Sequence, residues 1–273
     1  MEDERPEYVL GMAPEEIARL ERQHAAWRDT TLAVCRLAGF EPGQTVIDLG
    51  SGPGFAAVEL ARIVGPAGRV IAVDSSATAL AQCRRLVADT GLANVDVVAG
   101  DAASFDASSW QADAVFARWL FSYLAEPEAA VQALAAGLRP GATVAVMDYW
   151  NYLSIQTEPR SPLFAGMYQA VYESVRDTGG SFNVAGRLPS LFGGAGLRVT
   201  EVEVFSRVGR PGSELWAWLG DFQRLYLPSL VARGYLAQAE LTAFSVWWEE
   251  LSSNASALLF APPVLAVVAV KER

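Results

Sequence analysis

The sequence predicts an α/β fold in which helices cover both faces of a mainly parallel, doubly wound sheet. Short segments rich in Val, Ile and Ala alternate with helical segments between Thr45 and Trp150, which is typical of parallel strands joined by helical crossovers. The first strand runs directly into a series of glycines, at the edge where such sheets bind ligands. A chain of 273 residues accommodates this sheet in one domain with insertions.

The first predicted helix, over residues 14–38, begins with a proline and two glutamates, which are favoured at a helix N-terminus. The spacing of Ile17, Leu20, His24 and Trp27 predicts one amphipathic face. Strands and helices then alternate. Strands are predicted over 46–50, 69–74, 95–101, 113–119 and 142–150, and helices over 55–64, 75–91 and about 127–138.

The alternation stops after the fifth strand. Two long stretches are predicted to be helical insertions that form a lid. Pro262 and Pro263 are predicted to divide the C-terminal apolar stretch into two strands. The single domain therefore comprises an N-terminal helical cap (about 1–40), a ligand-binding core (about 41–150), insertions at about 151–187 and 212–253, a helix ending at Gly196, and strands at 197–205 and within 257–270.

Composition excludes several classes of function. The formal net charge is −10 and the basic residues are scattered, which disfavours a nucleic-acid partner. Cys35 and Cys83 form no CxxC pair and have no histidine neighbours, so we expect buried thiols and no metal site. No apolar run reaches the length of a membrane span, and the N-terminal MEDERPEY is acidic, unlike a signal peptide. We therefore expect a cytoplasmic protein without membrane association.

The glycine loop follows the first strand in VIDLGSGPGF (46–55). Glycine allows the backbone to approach a ligand closely, and the following helix N-terminus offers free N–H groups. From Gly52 to Ala57 the sequence also fits the G-x-G-x-x-A pattern of a dinucleotide site. The loop by itself therefore leaves open whether it holds a pyrophosphate or a carboxylate-bearing ligand.

Three acidic residues at strand ends distinguish these ligands. Asp48 precedes the glycines, where a carboxylate would oppose a pyrophosphate but suit a cationic group. Asp74 ends the second strand and could accept two ribose hydroxyls in either kind of site. Asp101 follows the third strand at the same edge of the sheet. Three acids around one nucleoside favour a ligand without phosphates.

Five motifs in order carry a resemblance to a known family: VIDLGSGPG, AVDSS, VVAGDA, DAVFARWLFSYLAEP and LRPGATVAVMD. The sequence resembles class I S-adenosylmethionine-dependent methyltransferases, of the small-molecule type related to the ubiquinone/menaquinone biosynthesis enzymes. The match covers about residues 40–150, and YVLGMAPEEIARLERQ and GGAGLRVTEVEV around it are less specific. The resemblance implies a Rossmann-like sheet of seven strands whose last strand is antiparallel and lies beside the sixth.

The resemblance also implies cofactor contacts. Asp48 would orient the glycine loop or bind the ammonium group of the methionine part, and its alternative is a loop brace. Asp101 would read the adenine, and its alternative is a helix cap. The remaining expected contacts are Gly50, Ser51, Gly52 and Gly54 beneath the methionine part, Asp74 and Ser75 at the ribose, the Ala102 N–H at the adenine, Arg118 near the methionine end, and Gln23 closing the site.

Two residues are candidates for catalysis. Methyl transfer is an in-line displacement that needs the acceptor about 3 Å from the methyl carbon, so positioning supplies most of the effect and a base is optional. His24 is the single histidine and is either a packed helix residue or a general base. Asp148, at the end of the fifth strand, either accepts a proton from the acceptor or caps the turn.

An aromatic set is predicted partly to pack the core and lid and partly to shape an acceptor site. The acceptor is predicted to be a small apolar or aromatic metabolite, with O-methylation favoured. Alternatives are a non-methylating reaction on the same fold, such as cyclisation, and a nicotinamide-dependent oxidoreductase. We expect a monomer or a homodimer. The candidate acceptor residues are Trp119, Tyr123, Tyr149, Trp150, Tyr152, Phe164 and Tyr168.

Overall fold

The computed structural model describes residues 11–272, so the acidic N-terminal stretch lies outside the described residues. Their helices and strands alternate as predicted up to the fifth strand. The strands are β1 Thr45–Leu49, β2 Arg69–Asp74, β3 Val95–Ala99, β4 Ala114–Arg118, β5 Thr143–Tyr149, β6 Gln156–Glu158, β7 Leu197–Phe205, β8 Val208–Gly209, β9 Leu258–Phe260 and β10 Val264–Lys271. The helices are α1 Pro14–Leu37, α2 Phe55–Val64, α3 Ala77–Thr90, α4 Pro127–Gly137, α5 Pro162–Arg176, α6 Leu188–Gly194, α7 Glu214–Ala232 and α8 Gln238–Ser252.

The main sheet has seven strands in the order β3-β2-β1-β4-β5-β10-β7. Strands β1 to β5 pair in parallel, and β10 pairs antiparallel with both β5 and β7. This confirms the predicted Rossmann-like sheet, including the antiparallel last strand next to the sixth strand of the sheet, β7. Because β1 to β5 are parallel, their carboxyl ends meet at one edge, where the predicted ligand residues lie.

Side chains on the two faces of the sheet belong to two hydrophobic clusters, as expected when both faces are covered by helices. Alternate residues of each strand point to opposite faces. Val46 and Phe116 lie in the cluster that also contains α1 and α2, whereas Ile47 and Val115 lie in the cluster beneath α4 and α6. Helix packing on both faces thus leaves the carboxyl edge as the open side of the core.

The buried face of α1 differs from the predicted one. Ile17 and Leu20 are only half-buried, whereas Glu16, Arg19 and Gln23 are 2%, 3% and 6% exposed. The first half of the helix therefore buries a polar stripe, and the buried Trp27 follows one turn after Gln23. Charged side chains are rarely buried without partners, and the contacts of this stripe are described below.

The two insertions form helices, as predicted, together with a small sheet that the sequence did not indicate. β6, β9 and β8 pair in that order in a three-stranded antiparallel sheet. Pro262 and Pro263 separate β9 from β10, so the two C-terminal strands belong to different sheets. Helix α7 packs along α1 and against α5, which places it over the carboxyl edge. Within residues 11–272 no helix has the length and hydrophobicity needed to cross a membrane.

Candidate functional site

The glycine loop between β1 and α2 uses its glycines for two different reasons. Gly50, Gly52 and Gly54 all have positive φ, at 73°, 54° and 91°, a backbone region that glycine adopts without steric cost. A Cβ on Gly50 would lie 2.8 Å from Leu120 Cδ1, and one on Gly54 would lie 2.5 Å from Cys83 Sγ. A Cβ on Gly52 would meet nothing within 4 Å. Gly52 therefore faces the open space in which a ligand can approach the backbone.

Two buried polar atoms at this loop have no hydrogen-bond partner among the described residues: Asp48 Oδ2 and Ser51 Oγ. Unsatisfied buried polar atoms are uncommon and call for an explanation. Burial raises the pKa of Asp48 to about 7, although the nearby Arg118 acts in the opposite direction. A carboxyl oxygen and a hydroxyl next to a helix N-terminus fit the ammonium and carboxylate of a methionine moiety, so these residues are consistent with the expected ligand.

The nucleoside candidates lie on adjacent strands at the same edge. Asp74 Oδ2 accepts a hydrogen bond from the Gly52 N–H at 2.8 Å, and its Oδ1 accepts one from the Ser76 N–H at 2.8 Å. Ser75 is exposed beside it. Asp101 accepts from the Ala103 N–H at 3.0 Å, and the half-buried Ala102 lies between them. Asp74 thus fastens the glycine loop to β2, and each carboxylate can accept further hydrogen bonds, since it has about four acceptor sites.

Arg118 joins the loop to α1. Its Nη1 donates to Thr31 Oγ1 at 2.8 Å and lies 3.3 Å from His24 Nδ1. Burial lowers the pKa of Arg118 to about 10, opposed by the charge of Asp48. His24 also stacks on Phe55 with ring centroids 5.8 Å apart, at the start of α2. Burial and the Arg118 charge lower the pKa of His24 from 6.5 to about 4. His24 is therefore neutral at physiological pH and a weak base.

Asp148 lies at the end of β5 and is fully buried. Its carboxylate accepts hydrogen bonds from the Ser122 hydroxyl, from the Ser122 N–H at 3.1 Å and from the Tyr149 N–H at 2.8 Å. Burial raises its pKa to about 6, opposed by these hydrogen bonds. The carboxylate thereby fixes the turn that follows β4.

A small cavity lies beyond the carboxyl ends of β4 and β5, beneath α7. Its volume is about 20 Å³, which is room for about one water molecule. Three of the predicted acceptor residues line it: Tyr123, Tyr149 and Tyr152. Gln23, predicted as a cofactor contact, lines this cavity as well. The lining is completed by Arg19, Phe182, Trp218, Leu219, Phe222 and Pro262.

The sequence prediction missed these last six residues. Trp218, Leu219 and Phe222 follow one another at helical spacing on α7, and that spacing is the only signal the sequence offers for them. Arg19 precedes Gln23 by one helical turn, and its Nη1 lies 3.3 Å from Gln23 Oε1. Arg19 also binds Glu16 through Nε and Nη2, at 2.7 and 2.6 Å. The inward polar stripe of α1 therefore ends at the cavity.

Four predicted acceptor residues lie outside the cavity lining. Trp119 is adjacent to it, with its ring 5.8 Å from that of Tyr149 and a φ of 51°, which is rare for a bulky residue. Trp150 is 40% exposed. Phe164 and Tyr168 are buried behind the cavity, where Tyr168 accepts a hydrogen bond from Gln223 Nε2 at 3.0 Å. His24 and Asp148 also lie outside the lining.

The ligand-binding core of the chain matches a known protein family. Residues 46–141 match the family described as methyltransferase domain. A ubiquinone/menaquinone biosynthesis C-methyltransferase of Ectopseudomonas mendocina is 29% identical over 146 residues, which cover 53% of each chain. The chain thus spans about half the length of this curated relative.

Solved structures show the same fold over most of the chain. A Bacillus halodurans protein classed as a methyltransferase covers 89% of this chain and 99% of its own, with a TM-score of 0.63 and 17% identity. The [4+2]-cyclase SpnF covers 89% of this chain and 81% of its own, with a TM-score of 0.56 and 19% identity. At these identities the likeness concerns the fold, which serves more than one reaction.

Proposed function

We propose that this chain, whose core matches the methyltransferase domain family, is a class I S-adenosylmethionine-dependent methyltransferase that methylates an oxygen of a small aromatic or apolar metabolite. The observation that carries the proposal is a small, aromatic-walled cavity at the carboxyl edge of the sheet that carries the glycine loop. Small-molecule sites are typically apolar with a few convergent polar groups. The cavity has this character.

We propose that the residues of the loop hold the methionine part of S-adenosylmethionine. The unpartnered Asp48 Oδ2 and Ser51 Oγ support this assignment, as does the open space above Gly52. Asp74 and Asp101 are proposed to bind the ribose and the adenine. When bound, S-adenosylmethionine supplies an electrophilic methyl carbon whose bond to sulfur breaks, the electron pair staying on sulfur, as the acceptor's lone pair bonds to it.

The chain's own contribution is positioning and exclusion of water. Holding two reactants in line supplies about 7–11 kcal/mol. Neither candidate base lines the cavity, because His24 contacts Arg118 and Asp148 fixes a turn. We therefore propose that the protein orients the acceptor and leaves its deprotonation to the solvent. The catalytic roles predicted for His24 and Asp148 stay predictions.

A cavity of about 20 Å³ does not admit an aromatic ring, so the lid must move for the acceptor to enter. Exposed ion pairs join α7 to α1: Arg22 lies 2.7 Å from Asp221 and 3.8 Å from Glu214. Surface pairs of this kind contribute little, about 0–1 kcal/mol. They are compatible with a lid that opens and closes readily.

The proposal is tested in two stages. Calorimetric titration with S-adenosylhomocysteine should show one binding site per chain, and NADH should not bind. Incubation with methyl-labelled S-adenosylmethionine and a panel of hydroxyaromatic compounds should then transfer the label to an acceptor oxygen. Binding of NADH alone would contradict the cofactor assignment.

Cyclisation on the same fold is the second candidate, favoured by the structural similarity to SpnF. It predicts that S-adenosylhomocysteine binds and that no acceptor receives the label. A polyene substrate would instead be converted to an isomer of the same mass. Mass spectrometry of the products distinguishes the two reactions.

A further inference from the structure

The cavity lining carries one formal charge, and it is positive. Among the described residues that line it, Arg19 is the charged one, and the others are Gln23, three tyrosines and apolar side chains. Arg19 is 3% exposed, pairs with Glu16 and lies with its guanidinium carbon 5.9 Å from the ring centroid of Phe222 on α7. Glu16 itself does not line the cavity. The guanidinium is thus fixed at the wall by contacts on two helices.

The same wall is rich in hydrogen-bond donors. The indole Nε1 of Trp218 is buried and has no acceptor within residues 11–272, although Trp218 lines the cavity. The hydroxyls of Tyr123, Tyr149 and Tyr152 and the amide of Gln23 can also donate. A buried donor without an acceptor is uncommon in a folded protein. The wall therefore suits a ligand that brings accepting oxygen atoms.

The positive charge of Arg19 at the cavity wall favours an anionic acceptor over a cationic one. An ammonium substrate would be attracted by the aromatic faces, but it would be buried beside Arg19, and no described lining residue is a carboxylate that could neutralise it. An oxyanion would interact favourably with the guanidinium and with the donors, because hydrogen bonds to charged groups are the stronger kind. The aromatic walls would pack against a flat ring in either case.

We infer that the acceptor is an acidic aromatic hydroxyl compound that binds as its oxyanion, against Arg19 and with the indole N–H of Trp218 as a donor. The inference rests on the proposed function and specifies its substrate class. Arg19 and Trp218 then select an oxygen acceptor over an amine. Binding of the ionised form also accounts for a cavity in which none of the described lining residues is a carboxylate or imidazole base.

The test measures binding to the protein saturated with S-adenosylhomocysteine. The probes share one ring: 4-nitrophenol, nitrobenzene and 4-nitrobenzylammonium at pH 8. We expect nitrophenolate to bind about tenfold tighter than either of the others, as a charge-assisted hydrogen bond predicts. At pH 6 the visible absorbance of bound nitrophenol should show a larger ionised fraction than in water. Equal or tighter binding of nitrobenzylammonium, or no binding of nitrophenolate at millimolar concentration, would overturn the inference.

Two variants locate the effect. Glu16→Gln combined with Arg19→Gln removes both buried charges together and should abolish the preference for nitrophenolate and the excess of its ionised form. Trp218→Phe keeps an aromatic side chain but removes the indole N–H, and it should weaken nitrophenolate several-fold more than nitrobenzene. Arg36→Gln, at an exposed position of the same helix, is the control and should leave the preference intact. If the double variant does not fold, the effect of Trp218→Phe and the selectivity of the unaltered protein among the three probes still test the inference.

Failure of the inference and failure of the proposed function have different signatures. If S-adenosylhomocysteine does not bind in the first titration, the proposed function is wrong. If it binds normally and the wall prefers the ammonium probe, only the substrate class is wrong. Persistence of the nitrophenolate preference in a folded Glu16→Gln/Arg19→Gln protein would also refute the assignment to Arg19.

Discussion

Replacing Asp48 by Asn tests whether the folded protein carries a carboxyl group of raised pKa beneath the glycine loop. Asp48 is 1% exposed, and its Oδ2 has no hydrogen-bond partner among the described residues. Burial raises its pKa from 3.8 to about 7, against the attraction of Arg118. Asparagine has nearly the same shape without the ionisation. The variant therefore isolates the effect of the charge.

The sign of the effect follows from proton binding. Between pH 3.8 and about 7 the folded protein keeps a proton on Asp48 that the unfolded chain has released. Stability therefore falls as the pH rises through this window and is constant above it. The interval from 3.8 to about 7 corresponds to ~4 kcal/mol. Asparagine cannot ionise, so the variant does not lose this stability as the pH rises. The free energy of unfolding of the variant minus that of the wild type should therefore increase by about 3–4 kcal/mol from pH 4 to pH 8.

Urea unfolding followed by tryptophan fluorescence across this pH range measures the difference. Asp89→Asn, which removes the same charge at an exposed position of α3, is the matched control and should show no such trend. We also expect the Asp48 variant to bind S-adenosylhomocysteine more weakly at pH 8, because the ligand's ammonium loses its carboxylate. A stability difference that stays flat or shrinks as the pH rises would show that Asp48 is ionised in the folded protein and refute the reasoning.

Three further changes test other parts of the site. Asp74→Ala should weaken S-adenosylhomocysteine by about 1–3 kcal/mol in calorimetry through lost hydrogen bonds, and an unchanged Kd would contradict the ribose assignment. His24, with a pKa of about 4, stays neutral from pH 6 to 9, so His24→Ala should not change the shape of the pH–rate profile there; loss of an inflection would identify it as the base. Gly54→Ala should destabilise the protein by about 1–3 kcal/mol more than Gly52→Ala, because its Cβ would lie 2.5 Å from Cys83 Sγ, and equal melting temperatures would contradict this packing.

Local sequence patterns were sufficient for the sheet and the loop. The strand from Arg69 to Asp74 and the helix from Phe55 to Val64 lie where the apolar runs and glycines predicted them. The acids at strand ends were also predictable, since parallel strands bring their carboxyl ends to one edge. The limits of α1 were predicted within one residue, but its buried face was not. Sequence periodicity predicts a buried face from apolar residues alone. The buried face of α1 instead carries the Glu16–Arg19 ion pair, which is covered only because α7 packs along α1.

The sequence by itself determined the doubly wound sheet, the glycine loop and the positions of Asp48, Asp74 and Asp101, because each depends on contacts between neighbouring segments of chain. Only the tertiary structure decided which side chains line the cavity. Its walls join Arg19 on α1 to Trp218 on α7 and to Pro262 before the last strand, and these two lie 199 and 243 positions after Arg19 in the chain. Their meeting depends on how α7 packs over the sheet edge, and no local pattern encodes that packing.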